Sequence, residues 1–132
     1  MGNRTQQKLS EPLTSEFLKN VYEDNGLVRL SYLLKVLHLS KVEMAPAIGL
    51  SLDALSRKKR LTTNQTQQRL NQLVQILNRV LPWTGSVAAA WAWYRSQPLP
   101  GFGDLTAEQL VKDGQCKAIL EYLEEIDNGG HA

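Results

Sequence analysis

Four consecutive cations, Arg57-Lys58-Lys59-Arg60, carry the most directed chemistry in this chain. Ammonium and guanidinium groups bind phosphate, and a guanidinium also offers the donor pair that fits guanine O6 and N7. Ser51, Asp53 and Ser56 stand just before the run, and Thr62 and Thr63 just after it. In a helix opening at Ser51 and entering a major groove, Ser51, Asp53, Ser56 and Arg57 face the base edges. An Arg57–guanine pair is then worth ~1–3 kcal/mol of discrimination. Lys58, Lys59, Arg60, Thr62, Thr63 and the free amides of the next helix start are placed for phosphate. Asp53 equally suits a dipole-favoured place in the first helical turn, and a run of four cations is common as a solvated face. Binding through such groups weakens steeply with salt, because counterions are released.

No comparable pattern points to catalysis. The histidines are His38 and His131, and the single cysteine is Cys116. No metal-ligand spacing, nucleophile elbow or phosphate loop occurs. Gly101-Phe102-Gly103 is too short for a nucleotide loop and follows no strand. Glu121, Glu124 and Glu125 read as a solvated helix face. Lys117 would lower the pKa of Cys116, but a cysteine at a helix start is more often simply packed. The expectation is therefore no enzyme, no cofactor, no metal and no small-molecule substrate.

The elements that must hold these residues are helical throughout, with no strand alternation and no internal repeat. Residues 1–12 carry few apolar side chains and read as a flexible leader. Phe17, Leu18, Val21 and Tyr22 recur at helical spacing, and Gly26 ends that helix. Leu30, Leu33, Leu34 and Leu37 form the stripe of a second helix, with His38 at its C-terminal end. Ser40-Lys41-Val42-Glu43 is a capping box that starts a short helix, which Pro46 should kink or shorten and Gly49 should stop. Ser51 then caps a helix over Leu52–Arg60. Two short helices joined through Gly49-Leu50-Ser51 form a helix-turn-helix pattern. A box at Thr62–Gln65 opens a long helix with Leu70, Leu73, Val74, Leu77, Val80 and Leu81 inward, and Pro82 should end it. An alanine-rich helix over Ser86–Ser96 follows, then a Pro/Gly loop, a helix capped at Thr106–Gln109, and a last helix over Gln115–Asp127.

Trp91-Ala92-Trp93-Tyr94 closes the alanine-rich helix, and Pro98 blocks its continuation. Trp91 and Trp93 suit a core. Tyr94, Leu99 and Phe102 suit an apolar, low-entropy contact surface for another protein. The blocks Trp93–Gly103, Thr106–Gly114, Leu120–Ile126 and Gly129–Ala132, in this order, resemble the toxin-binding domain of the Xre/MbcA/ParS antitoxins, which partner RES-domain toxins. The pattern Met44-Ala45, Ile48-Gly49-Leu50-Ser51 and Leu55 is similar to the Xre-type helix-turn-helix. Asp104 stands where that family commonly has a second glycine, and His131 where it has an aromatic.

The resemblance implies an antitoxin that covers the active-site entrance of an NAD-consuming toxin and represses its own operon. Carried position by position, toxin contact falls to Trp93, Tyr94, Pro98, Leu99, Gly101, Phe102, Leu123, Ile126, Gly129, Gly130 and His131. Leu110 and Gly114 match in the short helix between. The alternative is a stand-alone helix-turn-helix repressor whose rear half only dimerises.

The totals agree with two partners. Residues 1–81 hold 12 Lys/Arg and 6 Asp/Glu (net +6), and residues 82–132 hold 3 and 7 (net −4). A cationic front suits a polyanion such as operator DNA, and an acidic rear suits something else. The expected architecture is all-α: leader 1–12, helix-turn-helix domain 13–81 and toxin-binding domain 82–132. A single half-site contact is weak, so operator binding implies a homodimer. One cysteine, a polar N-terminus and no apolar run near the ~20 residues of a membrane helix predict a cytoplasmic protein with no membrane partner.

Overall fold

The computed structural model describes residues 13–129. Among them are nine α-helices and no β-strand, so the protein is all-α. The first helix, α1, is described over 13–21. There follow α2 (Leu30–Leu37), α3 (Lys41–Ala47), α4 (Leu52–Ser56), α5 (Lys58–Leu61), α6 (Asn64–Thr84), α7 (Val87–Ser96), α8 (Ala107–Lys112) and α9 (Cys116–Asp127). The expected leader, and Gly130 and His131 of the expected tail, lie outside the described residues.

Local chemistry sets most helix ends. Ser40 Oγ accepts from the Glu43 amide at 3.2 Å, and Glu43 Oε1 accepts from the Ser40 amide at 3.0 Å. Thr106 and Gln109 repeat this at 3.2 and 2.9 Å ahead of α8. Ser51 and Ser86 each satisfy one amide of α4 and α7. Each such cap is worth ~1 kcal/mol.

The turn after α3 is closed from the other side. The Leu50 amide donates to Ala45 O at 2.9 Å and the Gly49 amide to Pro46 O at 3.2 Å, with Gly49 left-handed at φ 72°. This double closure meets the orphan carbonyls at the end of α3. Gly114 closes α8 in the same way, through Gln115 to Leu110 O and Gly114 to Val111 O. His38, at φ 57°, plays the glycine's part after α2. Pro46 sits in the last turn of α3, where it removes one internal hydrogen bond, and the helix ends one residue later.

Four expected boundaries are corrected. Gly26 does not end α1, which stops at residue 21; it closes the turn between Tyr22 and Val28, with its amide on Glu23 O at 2.9 Å. Pro82 does not end α6: its ring faces solvent, only its own N–H bond is lost, and the Gly85 amide still reaches Leu81 O at 2.9 Å. The cap of α6 is Thr63, whose Oγ1 accepts from the Thr66 amide, rather than Thr62. The helix expected over Leu52–Arg60 is two helices. Arg57 is extended, at φ −89° and ψ 120°, and serves as both C-cap of α4 and N-cap of α5. The break lets Arg60 reach the same Asp53 carboxylate as Arg57.

One buried cluster runs through the whole described chain, from Phe17 and Val21 of α1 to Ile119 and Leu123 of α9. α6 is its spine, contributing Leu70, Leu73, Val74, Ile76, Leu77, Val80 and Leu81, and it packs on α5, α7 and α9. α7 touches α2 on one side and α8 on the other. Full burial of each such aliphatic side chain stabilises by ~1.5–3 kcal/mol. No helix among the described residues is long and apolar enough to cross a membrane.

Polar ties reinforce the spine. The Tyr22 hydroxyl is hydrogen-bonded to Asn71 Oδ1, and the Arg69 guanidinium donates to Val111 O. Gln67 accepts from the Val28 amide at 2.8 Å and donates to Leu61 O at 2.9 Å, joining three segments through one side chain. Gln67 is thus a structural clamp.

Candidate nucleic-acid and protein interfaces

The short pair α3 and α4 pack on each other across the Gly49 turn. Met44, Ala45 and Ala47 of α3 and Ala54 and Leu55 of α4 point inward. Ser56, Arg57, Lys58, Lys59, Arg60, Thr62 and Thr63 are all exposed, so the basic segment is a continuous accessible strip. Several side chains on it are already engaged. Ser51 Oγ caps α4. Thr63 Oγ1 donates to Arg60 O at 2.8 Å, and Thr62 Oγ1 donates more weakly to Lys59 O at 3.4 Å.

Asp53 is the residue whose role the sequence left open. Arg57 Nε donates to its Oδ1 at 2.8 Å and Arg60 Nη1 to its Oδ2 at 3.1 Å. Desolvation pushes the Asp53 carboxyl upward, but the two guanidinium hydrogen bonds and charges outweigh it and hold it below its ordinary range. The i,i+4 spacing of Asp53 and Arg57 was the available sequence signal.

A second surface is built around the loop after α7. Pro98 and Thr106 pair across its neck, with the Leu99 amide on Leu105 O at 2.9 Å. The tip turns through Gly101, Gly103 and Asp104, all at positive φ. Phe102 is half-buried and meets Tyr122 of α9 edge-on, with centroids 5.8 Å apart at 84°. Trp93 and Ile126 are also half-buried; Pro98, Gly101 and Gly129 are exposed. Glu121, Glu124 and Glu125 line the outer face of α9.

Three expected contact residues are corrected. Tyr94, Leu99 and Leu123 are buried, so they support the surface rather than form it. Tyr94 stacks on Trp91 at 5.3 Å, and its hydroxyl donates to Ala47 O at 2.7 Å. Burial, then the Glu108 and Cys116 charges, drive its pKa up against the pull of Arg69 and Arg95. Arg95 lies over Trp91 at 5.7 Å and pairs with Glu108 at 2.7 Å, a clasp between α7 and α8 that the sequence did not suggest.

The two surfaces share one scaffold. Tyr94, two residues before the loop's helix ends, holds the end of α3. A Cβ on Gly49 would lie 3.5 Å from Lys112 Cα, so the turn before α4 abuts the end of α8. Among the described residues no group of three His, Cys, Asp or Glu is arranged to hold a metal. Comparison of the chain with protein-family models, curated proteins and solved structures returned no match.

Proposed function

We propose that this chain is the antitoxin of a type II toxin–antitoxin pair. Its rear half covers the active-site entrance of a RES-domain, NAD-consuming toxin, and its helix-turn-helix represses its own operon as a cytoplasmic homodimer. The observation that carries the DNA part is the exposed strip Arg57–Arg60, set directly beyond a tightly closed α3–turn–α4 pair. The toxin part is supported by the ordered motif blocks from Trp93 to Gly129, by the half-buried Phe102 set edge-on against Tyr122 of α9, and by the exposed glutamates of that same helix. Buried aromatic anchors surrounded by polar groups are what protein interfaces use.

Co-expression with the RES-domain protein of the neighbouring reading frame tests it. Co-purification, rescue of growth, and retardation of the upstream DNA at low ionic strength are the expected results. Phe102→Ala should remove rescue while leaving the chain helical. Leu99→Ala is a poor probe, because truncating that buried leucine costs ~2–5 kcal/mol of fold stability. Retardation without toxin association points to the stand-alone repressor; a chain that shows neither retardation nor association overturns the assignment.

A further inference from the structure

We infer that Asp53 is a positioning residue that aims Arg57 at a guanine and restrains both Arg57 and Arg60 from non-cognate phosphate. The inference rests on the DNA-binding function proposed above. The geometry is asymmetric in a useful way. Asp53 takes Arg57 through Nε, at 2.8 Å. The terminal nitrogens Nη1 and Nη2 of Arg57 make no hydrogen bond among the described residues, and the side chain is 72% exposed. Those two nitrogens are the fork that matches guanine O6 and N7. The second oxygen of Asp53 holds Arg60 through one terminal nitrogen at 3.1 Å.

The carboxylate is itself anchored. It sits at the second position of α4, one residue before Ala54 and Leu55, each 1% exposed. A guanidinium tied to it keeps one direction relative to the helix. That removes part of the ordering cost an untethered arginine meets on binding. Arg57 is extended and lies beyond the last turn of α4, so without Asp53 only its flexible stem would direct it.

Asp53 also opposes the wrong DNA. The strip counts four cations against this one anion, net +3. A phosphate taken by the free nitrogens of Arg57 or Arg60 brings its negative charge close to the Asp53 carboxylate, which repels it. A neutral guanine edge on Nη1 and Nη2 brings no such charge. Specificity then comes from a repulsive element as well as an attractive one.

The test uses the full chain and a pool of duplex DNA with a randomised centre. Selected duplexes are compared with copies carrying 7-deazaguanine, which lacks N7, and with unselected duplex. Wild type should enrich a fixed guanine, and deazaguanine there should weaken it by about tenfold. Asp53→Ala should lose most of that sensitivity and bind unselected duplex several-fold tighter. Arg57→Ala should lose the guanine preference without tighter unselected binding. Arg60→Ala should keep the preference and weaken all duplexes alike. If Asp53→Ala lowers helicity, Asp53→Asn answers the same question, since its amide carries no charge to hold two guanidinia. An Asp53 variant with the wild-type sensitivity to deazaguanine overturns the inference and leaves DNA binding intact. A wild-type chain that binds no duplex at low salt overturns both.

Discussion

Cys116 faces the core from the first position of α9, 4% exposed. Desolvation pushes its thiol from 9.0 up to about 11, against the opposing charge of Arg69. The neutral thiol is therefore favoured by folding. Its contribution is complete below about pH 9 and is lost as pH rises toward about 11, because the unfolded chain gives up that proton first. Folded protein at pH about 8 should resist iodoacetamide, and denaturant should release the thiol to react. Cys116→Ala should flatten part of the alkaline fall in stability; Tyr22, Tyr32 and Tyr94, all raised, keep the remainder. Equal labelling rates with and without denaturant would refute this. The sequence favoured packing over reactivity here, and the cation that opposes burial is Arg69 rather than the adjacent Lys117. It did not reveal that Asp53 engages two arginines, because Arg60 comes within reach only once the chain breaks at Arg57.

The loop between α7 and α8 shows what an element demands of single residues. Asp104 is left-handed at φ 64°, as are Gly101 and Gly103 at φ 84° and 64°. A residue with a Cβ is strained there by ~1–2 kcal/mol, with aspartate among the better tolerated. Glycine at 104 relieves that strain but adds ~0.5–1 kcal/mol of unfolded-state freedom. Asp104→Gly should thus leave stability unchanged or raised by up to about 0.5 kcal/mol, whereas Gly101→Ala should lower it by about 1–2 kcal/mol. Denaturant midpoints at constant slope measure both, and matching losses would refute the account. Several helix ends were legible in the sequence because caps at Ser40, Ser51 and Thr106 and stops at Gly49 and Gly114 act over three or four residues. Pro82 was misread because its cost depends on which way the ring faces. Tyr94, Leu99 and Leu123 were carried over as contact residues by resemblance, which matches positions in a motif but does not say which side chains the neighbouring helices cover.

At the scale of the molecule, the cationic front and the acidic rear are parts of one packed body. The core cluster crosses residue 82 without interruption, and the Tyr94 hydroxyl joins α7 to α3. All three tryptophans, Trp83, Trp91 and Trp93, lie in the rear half. Their fluorescence and the far-ultraviolet signal of the whole chain should therefore change in one coincident transition. Tyr94→Phe should shift both together by about 1–3 kcal/mol, since Ala47 O is left buried without a donor. Tryptophan emission that moves ahead of helix loss would separate the halves.

The closure between α3 and the rear half also bears on how such chains can diverge. Ala47 contributes only its main-chain carbonyl and Lys112 only ordinary contact, so the union asks for two particular residues: a tyrosine at 94 and, at φ 72°, a glycine at 49. Hybrids cut at residue 82 therefore keep the join when one parent supplies Gly49 and the other Tyr94.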